Sequence, residues 1–401
     1  MSKTEWKEYK LGEIYEVHNG LSKGREFFGS GYPFISFSTV FNKWFIPEII
    51  TDFAQTTESE QESYSIKAGD ILVTRTSETA DELGMSCVAL RDIPNATYNG
   101  FCKRMRQYNK DVDVDSKYVG YYMRNPEFRK KFQAFAGSMS TRASLTNDAL
   151  LGLTIKLPPL AEQQRIAKIL SSLDDKIEFN NAINRNLEEQ AQSIFKSWFI
   201  DFEPFGGKMP IDWETGSLSD IADYLNGLAM QKFRPKDDEI GLPVLKIKEL
   251  RQGFAGEDAE LCSPGIKSEY IVNDGDVIFS WSGSLLVDLW CGGKCGLNQH
   301  LFKVTSKEYD KWFYYMWTKH HLDRFIFLAA DKATTMGHIK REELDKAEVC
   351  IPPSADYDKI SSAVKPLIDR LIVNKIENRT LSTLRDELLP KLMLGEMESG
   401  S

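Results

Sequence analysis

The chain has 401 residues, 42% of them hydrophobic and 11% aromatic, enough apolar material for two or three packed domains and too much length for one. Its 50 basic and 59 acidic side chains give a net charge of −9, which argues against a basic nucleic-acid domain by composition and leaves DNA binding to basic residues gathered on one face or to a partner that supplies most of the phosphate contacts. With no run of ~18 apolar residues, no apolar leader behind Met1 and six scattered cysteines, it reads as a cytoplasmic protein with reduced thiols and no membrane span.

Residues 1–156 read as a first mixed domain of short strands broken by turn residues, with β-rich Ile71-Leu72-Val73-Thr74 following the Gly69-Asp70 turn. Lys117 to Phe135 reads as one helix with Tyr118, Tyr121, Tyr122, Phe128, Phe132 and Phe135 on its apolar face. Residues 157–200 form a spacer helix. From Leu160 to about Phe199 there is no Gly or Pro, and Ile166, Leu170, Leu173, Ile177, Asn180, Asn184, Leu187, Ala191, Ile194 and Trp198 alternate at steps of four and three, a coiled-coil seam. Residues 201–215, acidic and rich in Gly and Pro, read as a linker. Residues 216–350 form a second mixed domain, and residues 351–401 a second spacer helix with a C-terminal tail. Its seam is Ile360, Val364, Leu367, Leu371, Asn374, Asn378, Leu381, Arg385, Leu388 and Leu392; Pro366 and Pro390 are expected to start, bend or end the helix.

The second half repeats the first. Trp6, Leu11, Ile14 and Asn19-Gly20 match Trp213, Leu218, Ile221 and Asn226-Gly227 at one constant offset. Gly69-Asp70 matches Gly275-Asp276, Tyr121-Tyr122-Met123 matches Tyr314-Tyr315-Met316, and Leu157-Pro158-Pro159 matches Ile351-Pro352-Pro353. The collinear order points to duplication of one unit. The expected fold is therefore α+β (mixed α/β): two duplicated globular domains joined by two long antiparallel coiled-coil helices about a pseudo-twofold axis. Antiparallel pairing brings Asn180 and Asn184 against Asn374 and Asn378, where buried amides fix the register.

Catalytic constellations are missing. No phosphate-binding Gly-rich loop precedes a Lys-Ser/Thr pair, neither Pro-Pro pair carries the Asp or Asn before it that an amino-methyltransferase uses, and the five histidines are dispersed. His320-His321 reads as a solvated helix face.

In this order, several motifs resemble the specificity (S) subunit of type I restriction–modification enzymes. Leu157-Pro158-Pro159-Leu160-Ala161-Glu162-Gln163-Gln164-Arg165-Ile166 is similar to the start of that family's central region and Ser197-Trp198-Phe199-Ile200-Asp201-Phe202-Glu203-Pro204-Phe205 to its end. Ser280-Trp281-Ser282-Gly283-Ser284 and Leu297-Asn298-Gln299-His300-Leu301-Phe302 resemble a recognition-domain pattern, and Leu388-Leu389-Pro390-Lys391-Leu392-Met393-Leu394-Gly395-Glu396 a C-terminal signature. The resemblance implies a non-catalytic subunit with two target-recognition domains, each reading half of a bipartite site in double-stranded DNA. It implies helices that set the gap and dock two methyltransferase (M) subunits, with restriction/motor (R) subunits completing the complex. No cofactor is expected in this chain: S-adenosylmethionine belongs to the methyltransferase partner, ATP and Mg to the motor–nuclease partner.

Base reading needs polar side chains on loops held by a rigid scaffold. The loops after the matched strands are the first candidates: Arg75, Thr76 and Ser77, and Trp281, Ser282 and Ser284. Next come the polar loops holding Ser138, Ser140, Thr141 and Arg142, and Thr335, Met336 and His338. Lys23, Arg25, Lys232 and Arg234 follow the Asn-Gly turns as phosphate or base contacts, whereas Lys103, Arg104 and Arg106 read as ordinary surface charge. A duplicated coiled-coil scaffold that binds no DNA is the alternative; a nuclease using Glu8-Tyr9-Lys10 lacks an acidic partner before it.

Overall fold

A computed structural model describes residues 6–77, 83–136, 143–331 and 340–396. The chain forms two compact units that divide inside the long helices: the first runs to Asp175 and resumes at Ser382, and the second is Lys176–Leu381.

In the first unit, β1 (Lys7–Lys10) pairs antiparallel with β11 (Thr154–Leu157), closing the ends of the domain on each other. The main sheet has the order β2 (Tyr15–Asn19), β9 (Cys102–Gln107), β5 (Ile71–Thr74), β7 (Ser86–Val88), all antiparallel. A second sheet sets β3 (Phe28–Ile35) between β4 (Phe53–Ala54) and β8 (Thr97–Tyr98), the β3–β8 pair being parallel. Short β6 (Thr76–Ser77) pairs with β10 (Ala143–Ser144). The helices before the spacer are α1 (Phe37–Asn42), α2 (Glu58–Ser63), α3 (Ser116–Arg124), α4 (Pro126–Ala136) and α5 (Asn147–Leu151).

The single helix expected over 117–135 is two. Pro126 pushes the residue before it out of helical geometry, and Asn125 sits at ψ 133°. The aromatic face survives the break: Tyr118, Tyr121, Tyr122, Phe128 and Phe132 are buried in the core, while the side chain of Phe135 lies outside the described ones.

α6 (Leu160–Phe199) follows, and the second unit repeats the plan. β12 (Glu214–Ser217) pairs with β21 (Glu348–Ile351) as β1 does with β11. The main sheet is β13 (Asp223–Asn226), β20 (Leu301–Thr305), β17 (Val277–Ser280), β18 (Leu286–Leu289). The second sheet runs β15 (Leu261–Cys262), β14 (Leu242–Leu245), β19 (Cys295–Leu297), β16 (Ile271–Val272), with β14–β19 again parallel. Its helices are α7 (Leu218–Ile221), α8 (Ile247–Gln252), α9 (Lys311–His320), α10 (Leu322–Asp331) and α11 (Glu342–Asp345), before α12 (Ser354–Met393) ends the fold.

The repeated Gly-Asp pairs are turn devices. Gly69 and Gly275 hold φ of +87° and +84°, a region costly for any residue with a Cβ. The carboxylates that follow accept the backbone N–H three residues back, Asp70 from Lys67 and Asp276 from Asn273. Each also binds a cation of the adjacent strand: Arg106 grips Asp70 with two bonds of 2.7 and 2.6 Å, and Lys303 meets Asp276 at 2.8 Å.

The long helices are built into both cores. Within the second unit, α6 and α12 run antiparallel: Asn180 donates to Asn378 at 2.9 Å and to Glu377 at 2.8 Å, and Asn374 donates to Asn184 at 2.9 Å. Asn180 and Asn374 are fully buried, so a one-step slip strands their amides among apolar side chains. Beyond this layer Ala191, Phe195 and Phe199 pack with Ile360, Val364, Ile368 and Leu371 in the core that also holds Trp312 and Phe313 of α9. Phe195, Phe199 and Ile368 belong to no sequence-read seam because they face the domain. Lys375 and Arg379 bind Asp288 and Asp274, tying α12 to the sheet.

In the first unit Ile166, Ala167 and Leu170 of α6 share a core with Leu389, Leu392 and Met393 of α12. Arg385, a cation at a seam position, meets Asp174 at 2.6 Å and lies over the Trp44 ring, and Asp174 also accepts from the Tyr121 hydroxyl. Buried Gln163 donates to the Pro158 and Asp113 carbonyls and accepts from the Asp115 N–H, which secures the start of α6. α12 passes unbroken through Pro366 and Pro390, against the expectation of a start or an end there. A proline deletes one helix hydrogen bond, and packing along α12 outweighs that loss. Among the described residues no helix is long and apolar enough to cross a membrane.

His321 departs from the expected solvated face: it is half-buried, stacked on Trp317, with its Nε2 at 2.8 Å from the Glu348 carbonyl. Burial, only partly offset by that carbonyl, holds its imidazole down at about 4. The unfolded chain therefore takes up a proton first, so this contribution is present above pH 6.5 and is lost as pH falls towards 4. Thermal melts across this range should show His321→Gln with a flatter acid limb than the wild type. Because both helices enter both cores, cutting the chain between Gly206 and Gly207 should leave two fragments that co-elute on a sizing column; separate elution contradicts the helix packing.

Candidate nucleic-acid interface

The strongest candidate lies at the ends of β2, β5 and β9 and recurs in the second unit at β13, β17 and β20. Two glycines create it. A Cβ on Gly20 would stand 2.1 Å from the Asn99 carbonyl oxygen, and one on Gly227 would stand 2.2 Å from that of Asn298. Only glycine lets the chain after β2 or β13 cross so close to this second turn. Leu21 bridges Asn99 in parallel, and Leu228 bridges Asn298 in the same way. Both of these turns are braced alike: Asn99 accepts from the Phe101 N–H at 2.8 Å and Asn298 from the His300 N–H at 3.2 Å.

The pairing register aligns the two platforms. Lys103 faces Asn19 and Val73 across the strands, and Phe302 faces Asn226 and Phe279. Two residues beyond Val73 and Phe279 stand Arg75 and Trp281. In the first unit Lys103 donates to the Asn19 amide oxygen at 3.0 Å and to Asn147 at the start of α5. In the second, the Trp281 indole N–H donates to the Asn226 amide oxygen at 3.1 Å, and its ring lies 5.6 Å from that of Phe302. Ser282 and the His300 Nδ1 are 3.1 Å apart beside it. One scaffold thus carries half-buried to buried cations in one unit and an aromatic pair with a hydroxyl in the other. Among the described residues no group of His, Cys, Asp and Glu is placed to hold a metal.

The model of the type I restriction modification DNA specificity domain matches this chain twice, over residues 3–189 and 210–382. The chain belongs to the type I restriction–modification DNA specificity family. Its part is therefore DNA sequence recognition, and the two matches fall on the two repeats read from sequence. Among its relatives, the MjaIX specificity subunit of Methanocaldococcus jannaschii is 27% identical over 98% of this chain and 94% of its own length. The HindI specificity subunit of Haemophilus influenzae is 23% identical over 98% of this chain and 100% of its own. The solved S subunit from M. genitalium shares the fold at a TM-score of 0.58 and 13% identity, covering 98% of this chain and 97% of that one.

The residues expected to touch DNA divide into several groups. Arg75 and Thr76 are half-buried at the platform of the first unit, where Thr76 and Ser77 pair with Ser144 and Ala143. Trp281 and Ser282 lie on that of the second, and Ser284 is exposed just after them, its carbonyl accepting from Ser280. Lys23 is committed elsewhere: it binds Glu60 at 2.7 Å and the Gln55 carbonyl at 2.7 Å, which holds the Glu60 carboxyl below its usual range. Arg234 pairs with Glu260 at 2.8 Å, while Arg25 and Lys232 are exposed on short turns. Ser138, Ser140, Thr141, Arg142, Thr335, Met336 and His338 lie outside the described residues. Asn180, Asn184, Asn374 and Asn378 come together in the helix pair described above.

Sequence reasoning misassigned Lys103, Arg104 and Arg106. Lys103 and Arg104 are buried, at 4% and 3% exposure, and Arg106 is bound to buried Asp70. A cation run on an inner strand looks like surface charge until the register places it. Asn19, Asn226, Asn99 and Asn298 were also missed as side chains; for Asn19 and Asn226 their recurrence before the matched glycines was the available signal.

Proposed function

We propose that this chain reads a bipartite site in double-stranded DNA, one half with each unit. The observation that carries this is the repeated platform: the same Asn-Gly crossing holds different side-chain chemistry in each unit, as two unlike half-sites require. In this reading the two helices of 40 residues set the gap between half-sites and offer docking surfaces to two methyltransferase subunits. Restriction/motor subunits complete the assembly in the cytoplasm. The chain holds no cofactor of its own; S-adenosylmethionine is used by the methyltransferase partner, ATP and Mg by the motor–nuclease partner. The full-length relatives named as specificity subunits of type I restriction enzymes support the reading of this chain as a specificity subunit. They do not favour a scaffold that binds no DNA.

Single-molecule mapping of N6-methyladenine, in cells making this chain with a methyltransferase partner and in cells lacking the chain, tests the proposal. The expected result is one motif of two short half-sites around a fixed gap, methylated only when the chain is present. Methylation at a continuous, ungapped motif would overturn the two-half reading.

A further inference from the structure

Among the described residues the first platform carries two cations and no anion to match them. Lys103 is 4% exposed, yet among the described residues its ammonium meets only two neutral amides, Asn19 and Asn147. Arg75 is half-buried, and its Nε is a buried donor with no acceptor among the described residues. Neither makes an ion pair among the described residues, although elsewhere in this unit Arg106, Arg385 and Lys23 each meet a carboxylate. Burial, and next the neighbouring Arg75 charge, push the Lys103 ammonium down. Two like charges held together without an anion destabilise the fold unless an anion arrives.

The second unit makes the same platform without that cost. Phe302 replaces Lys103, Trp281 replaces Arg75, and Asn226 turns its amide oxygen to an indole N–H instead of an ammonium. The fold therefore does not require cations here.

We propose that Arg75 and Lys103 form a seat for a DNA phosphate in the first unit, so that this half-site is clamped by charge where the other is held by an aromatic pair. The inference rests on the DNA-recognition reading above. The two donors suit a phosphate oxygen, Arg75 through the terminal N–H groups of its half-buried guanidinium and Lys103 through the N–H that its two amides leave over. A contact to phosphate carries no sequence information; it fixes the position of the duplex on the platform.

The test is equilibrium binding of the full chain, assembled with its methyltransferase partner, to cognate and random-sequence duplexes over a range of salt. Arg75→Gln and Lys103→Gln are compared with Arg75→Lys and Lys103→Arg, and near-UV circular dichroism checks the fold. The glutamine variants should weaken both duplexes by a similar factor. Their slope of log affinity against log salt should become shallower by about 1, because one phosphate is no longer neutralised by the protein. The charge-preserving variants should keep the wild-type slope. An unchanged slope in the glutamine variants overturns the proposal, as does a weakening confined to the cognate duplex, which would mark a base-reading role. A wild-type complex that binds neither duplex would instead sink the DNA-recognition reading itself.

Discussion

The antiparallel register of the two long helices is the constraint on which the rest of the molecule depends. Asn180, Asn184, Asn374 and Asn378 set it, since the side-chain N–H groups of Asn180, Asn374 and Asn378 reach their acceptors on the facing helix only at one offset. Within the first unit Asp174 of α6 meets Arg385 of α12, and within the second Phe195 of α6 packs against Trp317 of α9. Each helix is thereby a core element of both units, which explains why its most buried residues depart from a plain heptad towards its ends.

On that frame the two domains repeat one topology and vary one surface. The turn chemistry recurs closely: glycines at positive φ before Asp70 and Asp276, and glycines at the crossings beside Asn99 and Asn298. The crossing glycines have no freedom, because a Cβ there meets backbone. The strand-end positions beside them carry no such constraint, so Lys103 and Arg75 in one unit become Phe302 and Trp281 in the other. A rigid crossing with replaceable side chains is a physical route to two different specificities from one fold.

Much of this was legible in the sequence because it lies in local pattern. The repeat, the Pro-Pro pairs before the helices and the asparagines in the seam are all read from spacing. What was hidden depends on partners distant in sequence. Arg385 looked like a defect in an apolar seam until Asp174 and Trp44 were beside it, and Lys103 looked exposed until its strand was central. Pro126 broke a helix that aromatic periodicity alone had joined, and Pro366 failed to break one because packing outweighed a single missing hydrogen bond. Lys23 shows the reverse error: a cation placed well for DNA in sequence is bound to Glu60 in the fold.

The most direct measurement is a hydroxyl-radical footprint of the assembled complex on a duplex carrying its methylated motif. Two recognition platforms on one chain predict two protected patches separated by an accessible gap, with Trp281→Ala weakening one patch and sparing the other. A single continuous footprint, or one that Trp281→Ala weakens evenly along its length, would contradict independent reading by the two units.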